Sequence, residues 1–572
     1  MDKISKKIKM INIIKKLIIS KNIDGYILPK NDKYFTEYSK INYLKLVSNF
    51  SGSAGFALIL KNKNYLFVDG RYTIQAKNES GNKFIICEIP YVWPKNILKK
   101  FKEKLNIGFD PKLFTYSRLN KYFENSCNLV SINKDLFHSK IPISKNYLFY
   151  ILNKKITGES SKSKINKITN FLFKKKIDYI FVSSGENICW LLNIRGSDLP
   201  NSPVANCKLI LTKNKKIYFF APSDKTKNIK SKLKNSKIFF HKEDDFFQIL
   251  NSLKIGNFCI DNQTCSIFEE ELIKSKFKIN AKSDPIYYFK SIKNKTEIKN
   301  MKNAHIDDGI ALTKFLYWIK NANISKKTEK IIELKLENFR KQNKNYLYPS
   351  FDTIAGSGPN GAIIHYRSDK LSNRSLRKKD LLLLDSGGQY KWGTTDVTRT
   401  ICFSKVTDKI KEIFTRVLKG HIAVAISNVK KCKTGHNIDL RARKSLNSAG
   451  LDYRHGTGHG VGFFLNVHEG PQSISKNNHV ELKEGMILSN EPGFYLEGKF
   501  GIRIENLVFI KKEKSKFFFK NLTLAPIDTD LINFSMLNNL EKDYLFKYHL
   551  EVYSKISPYL NINEKKWLAK LI

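Results

Sequence analysis

The chain has 572 residues, too long for a single hydrophobic core, and its length indicates roughly three to four domains of about 150 residues each. Hydrophobic residues make up 41% and aromatic residues 12%, so the composition excludes a disordered protein. The net charge is +49, but the lysines are spread along the whole chain without a basic tail. We therefore expect a solvated basic surface and no nucleic-acid partner.

The N-terminus and the cysteines indicate where the protein works. The segment "MDKISKKIKMINIIKKLIIS" has lysines every few positions, so it lacks the apolar stretch and the cleavage site of a signal peptide. No apolar run is long enough to cross a bilayer. The eight cysteines are scattered and form no C-x-x-C pair. These features predict a cytoplasmic protein with reduced thiols and no membrane partner.

The first half of the chain contains an internal repeat. The segments "INIIKKLIISKNIDGYILP" and "INKITNFLFKKKIDYIFVSS" both predict an amphipathic helix followed by "ID" and an apolar strand. Further on, "LILKNKNYLFVDGR" and "LILTKNKKIYFFAPS" each predict two strands joined by a polar turn. We therefore expect two α/β domains of related design, at residues 1–140 and 141–285, without catalytic residues of their own.

A third domain is expected at residues 286–572. Thr296 is predicted to cap a helix whose apolar face includes Ile298, Met301, Ala304 and Ile306. From Ser350 onward the pattern changes to strands interrupted by glycine.

Two predicted hairpins in this domain each carry a pair of acids. In "LLLLDSGGQYKWGTTDVTRTICF", a turn near Tyr390 and Lys391 would bring Asp385 opposite Asp396. In "MILSNEPGFYLEGKFGIRIENLVFI", Glu491 and Glu505 are symmetric about Gly498. Neighbouring carboxylates on paired strands destabilise a sheet unless a cation lies between them.

These four carboxylates predict a dinuclear metal site. The flanking leucines, isoleucines and valines mark the strands as buried, and four buried negative charges need about two divalent cations to neutralise them. Oxygen-rich ligands with few imidazoles favour Mn(II), Co(II) or Zn(II) in a hydrolytic centre. The alternative is a pair of unrelated hairpins with salt bridges.

The segment "HGTGHGVGFFLNVHEG" contributes three histidines. His455 and His459 have the four-residue spacing that places two ligands on one face of a helix. The four interleaved glycines argue against a helix, so the two side chains need not converge. The spacing therefore leaves open how many of these histidines bind metal.

Motifs of a known family occur in order along the chain. The segments "GPNGAIIHY", "LDSGGQYKWGTTDVTRT", "HGTGHGVGFFLNVHEGP", "GMILSNEPGFY" and "FGIRIEN" resemble the catalytic domain of aminopeptidase P. These Xaa-Pro aminopeptidases share the creatinase/methionine aminopeptidase fold, called the pita-bread fold. The segments "FSGSAGFALI", "FVDGRYTIQA" and "WLLNIRGSDLPNSPV" resemble the two creatinase-like domains of the long cytosolic form.

The resemblance implies an α/β (α+β) architecture and a homodimer. Two creatinase-like α/β domains would precede a pita-bread catalytic domain, with a C-terminal extension at about residues 515–572. The implied activity is release of the N-terminal residue from peptides with proline second, by hydroxide held between two divalent ions, most simply Mn(II).

The resemblance also implies a role for individual residues. His459 completes the metal-ligand set with Asp385, Asp396, Glu491 and Glu505. Glu491 would also carry the proton to the leaving nitrogen. His455 would line the active site, His365 and His468 would bind the peptide and stabilise charge on its carbonyl, Val467 would border the proline pocket, and Tyr495 and Arg503 would support the ligands and the substrate.

Three alternatives stay open at this stage. A prolidase shares the five ligands but cleaves dipeptides, and the duplicated first half favours the aminopeptidase. A methionine aminopeptidase would not need two preceding domains. An inactive pita-bread binding protein would be free to lose its ligand residues, and here all five positions are intact.

Overall fold

A computed structural model of the chain describes residues 2–39, 42–134, 136, 147–233, 237–368 and 372–572. The chain divides into two compact units. The first contains Met1–Asn153 and Glu159–Ile286, and the second contains Lys154–Gly158 and Tyr287–Ile572. The domain boundaries expected near residues 140 and 285 stay predictions.

The first half of the first unit is built on one six-stranded sheet. Its strands have the order β4-β3-β2-β1-β5-β6. The elements are α1 (Asp2–Ser20), β1 (Gly25–Pro29), α2 (Tyr43–Ser48), β2 (Phe56–Leu60), β3 (Asn64–Asp69), α3 (Thr73–Ser80), β4 (Ile85–Ile89), α4 (Pro94–Leu98), β5 (Asn106–Phe109), α5 (Tyr116–Phe123) and β6 (Asn128–Ser131).

The second half of this unit repeats the same topology. Its six-stranded sheet has the order β12-β11-β10-β8-β13-β14. The elements of this part of the chain are β7 (Tyr150–Ile151), α6 (Lys154–Thr157, in the second unit), α7 (Ser161–Lys174), β8 (Tyr179–Val182), α8 (Gly185–Leu192), β9 (Ile194–Arg195), β10 (Lys208–Thr212), β11 (Ile217–Phe220), α9 (Lys227–Lys232), β12 (Ile238–His241), α10 (Phe246–Ser252), β13 (Asn257–Ile260), α11 (Ile267–Lys274), β14 (Lys278–Ala281) and α12 (Pro285–Ser291).

The predicted repeat is confirmed down to its "ID" dipeptide. In each sheet the first strand pairs antiparallel with the following hairpin strand and parallel with the fifth strand. Asp24 accepts a hydrogen bond from the backbone N of Asn106 at 2.9 Å, and Asp178 accepts one from that of Asn257 at 2.8 Å. The same aspartate therefore ties equivalent strands together in both halves.

The second unit begins with helices and continues as short sheets. The sheets have the orders β16-β17-β20, β15-β18-β19, β22-β21-β23-β26-β27 and β24-β25. The elements are α13 (Lys295–Asn321), α14 (Glu329–Lys341), β15 (Tyr346–Pro349), β16 (Ile354–Ser357), β17 (Leu382–Ser386), β18 (Gly388–Tyr390), β19 (Gly393–Thr394), β20 (Val397–Ile401), α15 (Asp408–Ala425), α16 (Gly435–Asn447), β21 (Gly458–Gly460), β22 (Glu469–Ile474), β23 (Ile487–Asn490), β24 (Gly493–Leu496), β25 (Phe500–Arg503), β26 (Asn506–Glu513), β27 (Lys516–Asn521), α17 (Asn539–Ile556) and α18 (Ile562–Ala569).

The long helix α13 begins two residues earlier than expected. Its N-cap is Asn294, whose side chain accepts hydrogen bonds from the backbone N atoms of Thr296 and Glu297. Glu297 accepts a bond in return from the backbone N of Asn294 at 3.0 Å, completing a capping box. The prediction that Thr296 is the cap was wrong, because the backbone N of Thr296 already donates to Asn294, and Asn294 and Glu297 have the spacing of a capping box.

The cysteines and the helices can be compared with the expectation of reduced thiols and of no membrane-spanning segment. Seven cysteines are buried, Cys432 is half-buried, and all eight are free thiols. Within the described ranges, every helix is too short or too polar to cross a membrane.

Candidate active site

The first acid pair lies on the hairpin formed by β17 and β20. Asp385 pairs with Thr398, and the turn lies at Lys391 and Trp392, between β18 and β19. Asp396 is therefore diagonal to Asp385 rather than opposite it, which corrects the expected pairing. Because side chains alternate along a strand, two residues of offset still leave both carboxylates on the same face.

The second acid pair lies on the hairpin formed by β23 to β26. Asn490 pairs with Asn506 and Gly493 pairs with Arg503, so the register is continuous and centred on Gly498. This confirms the predicted symmetry of the hairpin. Glu491 and Glu505 lie opposite each other in the gap between the two ladders. Their backbone N atoms bond elsewhere, to Thr457 O at 2.8 Å and Thr398 O at 3.1 Å.

His459 joins the two hairpins from strand β21. Its Nε2 lies 3.4 Å from Oδ2 of Asp396 and 3.5 Å from Oε1 of Glu491. Its Nδ1 lies 2.8 Å from the carbonyl oxygen of Gly460, which can only accept a hydrogen bond. The neutral ring therefore carries its proton on Nδ1 and turns the Nε2 lone pair toward the acids.

Burial, together with repulsion among the acids, shifts the pKa values of these carboxyl groups upward. Burial raises the pKa of Asp385 to about 7; Arg503 opposes this, and the charges of Asp396 and Glu491 add to it. Burial and the neighbouring carboxylates also raise the pKa of Glu491 and, further, that of Glu505. Burial alone would lower the pKa of His459, but Asp396 and Glu491 raise it to about 9.

The donor set fits divalent metal ions. Ligand atoms of Asp396, His459 and Glu505 lie within 4.8 Å of one another. Oδ1 of Asp385 is buried without a hydrogen-bond partner among the residues that the structure describes. A buried acceptor with no donor is costly unless a cation binds there.

Arg503 and Thr398 hold the carboxylates in place. Nη2 of Arg503 donates to Oδ2 of Asp385 at 2.6 Å, and its Nε donates to Oγ1 of Thr398 at 3.0 Å. Oγ1 of Thr398 donates to Oε2 of Glu505 at 2.7 Å. Sequence reasoning missed Thr398, although its position two residues after Asp396 places it on the same face of the strand.

A hydrogen-bonded chain connects Arg503 to His455. Nη1 of Arg503 donates to the hydroxyl of Tyr495 at 2.7 Å. Nδ1 of His455 lies 2.8 Å from the carbonyl oxygen of Gly456, so in the neutral ring Nε2 accepts the proton of the Tyr495 hydroxyl at 2.9 Å. Burial, opposed by Arg503, raises the pKa of Tyr495 to about 12. The predicted residues His455, Tyr495 and Arg503 are thus brought together beside Asp385.

The remaining predicted residues are His468, Val467 and His365. The ring of His468 packs edge-on against that of His459, with centroids 4.2 Å apart. Val467 is buried. His365 is half-buried, and its neighbour Tyr366 belongs to a small apolar cluster against which Tyr495 packs.

Helix α16 supports the glycine-rich loop, a contact that the loop sequence did not predict. Arg443 donates to the carbonyl oxygen of His455 at 2.6 Å and to Asp439 at 2.8 Å. Asp439 accepts a hydrogen bond from Oγ1 of Thr457 at 2.6 Å. Nothing in the loop motif itself points to these residues, which come from a separate helix.

Family comparisons cover most of the chain. Residues 299–512 match metallopeptidase family M24, and residues 516–571 match the C-terminal region of peptidase M24. Residues 11–136 and 140–297 each match a creatinase/prolidase N-terminal domain. The predicted architecture of two creatinase-like domains followed by a pita-bread metallopeptidase domain is confirmed.

Individual relatives extend the match to the full length. A probable Xaa-Pro aminopeptidase P of Laccaria bicolor is 35% identical over 97% of this chain and 92% of its own. The crystal structure of an X-prolyl aminopeptidase from Caenorhabditis elegans, described as a cytosolic enzyme with a di-nuclear active site, is 30% identical and covers 99% of each chain with a TM-score of 0.92. A prolidase from Thermococcus sibiricus is 26% identical and covers 65% of this chain and 98% of its own, with a TM-score of 0.53.

These matches favour the aminopeptidase over the prolidase. The prolidase leaves about a third of this chain uncovered, whereas the two aminopeptidases cover nearly all of it. The chain belongs to the Xaa-Pro aminopeptidase family of M24 metallopeptidases.

Proposed function

We propose that this metallopeptidase releases the N-terminal residue from peptides whose second residue is proline. The observation that carries the proposal is the convergence of four carboxylates and His459 in one cluster, in a chain that aligns with Xaa-Pro aminopeptidases over nearly its full length. A tertiary Xaa–Pro amide bends the peptide, so its hydrolysis requires a shaped site.

Five residues are proposed to hold two divalent ions: Asp385, Asp396, His459, Glu491 and Glu505. The donors are mainly oxygen atoms with one imidazole, which favours Mn(II), with Co(II) or Zn(II) as substitutes. Bound there, the ions supply Lewis acidity that polarises the scissile carbonyl and lowers the pKa of water.

Glu491 is proposed as the proton carrier. A carboxylate in this cluster can accept a proton from the attacking water and release it to the leaving proline nitrogen. The hydroxyl of Ser489 donates to Oε1 of Glu491 at 3.0 Å, which holds that oxygen in one orientation.

The histidines and their supports are proposed to bind the peptide. His455, oriented by Tyr495 and Arg503, would line the site. His365 and His468 would bind the peptide and donate to the carbonyl oxygen as negative charge develops on it. Val467, buried beside His468, would border the proline ring.

Product analysis tests the proposal directly. With Mn(II) present, Arg-Pro-Pro should yield free arginine and Pro-Pro, while Arg-Ala-Pro should be cleaved far more slowly. Chelation should abolish the activity, and Mn(II) or Co(II) should restore it. Equal turnover of both tripeptides would contradict proline specificity, and hydrolysis confined to dipeptides would instead indicate a prolidase. The homodimer and the cytosolic location stay predictions.

A further inference from the structure

Besides Arg503, a second buried arginine, Arg399, lies directly behind the candidate metal site. It follows Thr398 on strand β20, so its side chain leaves the sheet on the face opposite to that threonine. Its residue surface is only 2% exposed. Among the described residues its hydrogen-bond partners are carbonyl, amide and phenol oxygens, and none is a carboxylate.

The guanidinium uses all five of its N–H groups. Nη1 donates to the carbonyl oxygens of Thr398 and Glu505 at 2.8 and 2.7 Å. The other two nitrogen atoms reach the following partners: Pro526 O at 2.9 Å, Ala525 O at 2.6 Å, Asn506 Oδ1 at 2.8 Å and the Tyr548 hydroxyl at 2.9 Å. A lysine has three donors and no planar fork, so it could not make this set of contacts.

These partners belong to two parts of the unit. Thr398 and Glu505 are in the two metal-site hairpins, and they are also joined by the bond from Oγ1 of Thr398 to Oε2 of Glu505. Ala525, Pro526 and Tyr548 lie in the C-terminal region that follows β27. Arg399 therefore bonds the backbone of a proposed metal ligand on one side and the C-terminal region on the other.

Tyr548 bonds the guanidinium of Arg399 on the side of the C-terminal region. Arginine can only donate, so the Tyr548 hydroxyl accepts from Nη2 and gives its own proton to the carbonyl oxygen of Ala525 at 2.7 Å. Tyr548 is buried on helix α17. Its hydroxyl thus orients both the guanidinium and the segment that the guanidinium binds.

We propose that Arg399 and Tyr548 are positioning residues through which the C-terminal region holds Glu505 in the geometry that binds metal. The C-terminal region then contributes to metal affinity without touching metal or substrate. This inference rests on the proposed function, since it takes Glu505 as a metal ligand.

The test compares two tyrosine variants of helix α17 in the full-length chain. Tyr548→Phe removes the hydroxyl that bonds Arg399. Tyr544→Phe is the matched control, because Tyr544 lies one turn earlier, stacks on Tyr548 with ring centroids 6.4 Å apart, and accepts its hydrogen bond from Asn521 at 3.0 Å. Metal-free proteins are titrated with Mn(II) against a competing chelator, and their melting temperatures are measured without metal.

We expect Tyr548→Phe to weaken the apparent Mn(II) affinity by about tenfold, the lower end of the effect of losing an outer partner of a ligand. Tyr544→Phe should keep the wild-type affinity, even if its metal-free melting temperature falls as much. Wild-type affinity in Tyr548→Phe, or equal losses in both variants, would overturn this inference while leaving the proposed function intact. Failure of the wild-type chain to bind Mn(II), Co(II) or Zn(II) would overturn both.

Discussion

At the scale of single residues, the three histidines of the glycine-rich segment have different surroundings. His459 touches two carboxylates, whereas His455 bonds the hydroxyl of Tyr495 and His468 packs against the ring of His459. Nε2 of His459 faces Asp396 and Glu491 at 3.4 and 3.5 Å. The roles inferred from the family resemblance therefore have a physical basis in the contacts of each ring.

Substitution of these histidines should separate metal binding from catalysis. His459→Ala should lose bound metal and activity together, because it removes a proposed ligand. His468→Ala should keep two metal ions per chain while the rate falls by about a hundredfold or more, the scale for losing a donor to the developing oxyanion. Elemental analysis and steady-state kinetics on the same preparations would measure both effects.

A surface histidine provides the control for this comparison. His436 bonds the carbonyl oxygen of Lys476 and packs near His479, so His436→Ala should change neither metal content nor rate. If His468→Ala loses its metal and His459→Ala keeps both ions, the assigned roles are wrong.

At the scale of elements, three of the four acids lie where the regular ladder of their hairpin is interrupted. Glu491 follows β23 and Glu505 precedes β26, in the gap before the β24–β25 ladder. Asp396 likewise precedes β20, in the gap after β19. In the second hairpin these gaps free the backbone of both glutamates to bond neighbouring segments. The two hairpins therefore bring like charges together, and a bound cation would stabilise them.

The charge cluster should make the metal-free protein less stable as pH rises from 7 to 9. The pKa of His459 is raised to about 9 in the folded state, above its ordinary value of about 6.5. Its stabilising contribution is therefore complete below the ordinary value and is lost as pH rises through the folded value. Metal binds the deprotonated groups, so Mn(II) should stabilise the protein more at pH 9 than at pH 7.

Thermal unfolding at a series of pH values, with chelator or with Mn(II), would measure this dependence. Two other buried histidines, His421 and His549, have pKa values lowered to about 3 and about 4 by burial, so they destabilise the fold at acid pH and contribute little above pH 7. His459→Gln should remove much of the fall between pH 7 and 9. A metal-free melting temperature that rises over that interval would contradict the expected charge balance.

At the scale of the whole molecule, the net charge of +49 comes from lysines spread along the entire sequence. Lysines in several surface ion pairs stay exposed. Examples are Lys61, which pairs with Asp24, and Lys213, which pairs with Asp178. Such exposed pairs contribute little to stability. The basic charge therefore needs no specific acidic partner to explain it.

Binding to nucleic acid should accordingly be weak and non-specific. Any association with DNA or RNA should fall steeply as salt is raised, because it would depend on release of counterions from the phosphates. A titration of labelled duplexes of different sequence over a range of salt concentrations would measure this. Tight, sequence-selective binding at physiological salt would show that the charge has a recognition function.

Much of this protein could be predicted from the sequence, because the signals are local. The helix, "ID" dipeptide and strand of each repeat depend on hydrophobic periodicity within about 20 residues, which the chain itself displays. The symmetry of Glu491 and Glu505 about Gly498 could be read in the same way, since a hairpin turn defines the pairing of both strands. The five catalytic-domain motifs were also enough to identify the family, because each of them is a continuous segment of the chain.

Other features depended on residues far apart in the chain. The first hairpin turns one residue later than expected, so Asp385 pairs with Thr398, and spacing alone does not determine that register. The bonds from Thr398 to Glu505 and from Arg399 to Tyr548 span 107 and 149 residues. The sequence by itself determined which side chains could form a metal site and in which fold. Only the tertiary structure decided which atoms meet there and which buried partners hold them, because hydrogen bonds between distant segments leave no periodic signal in the chain.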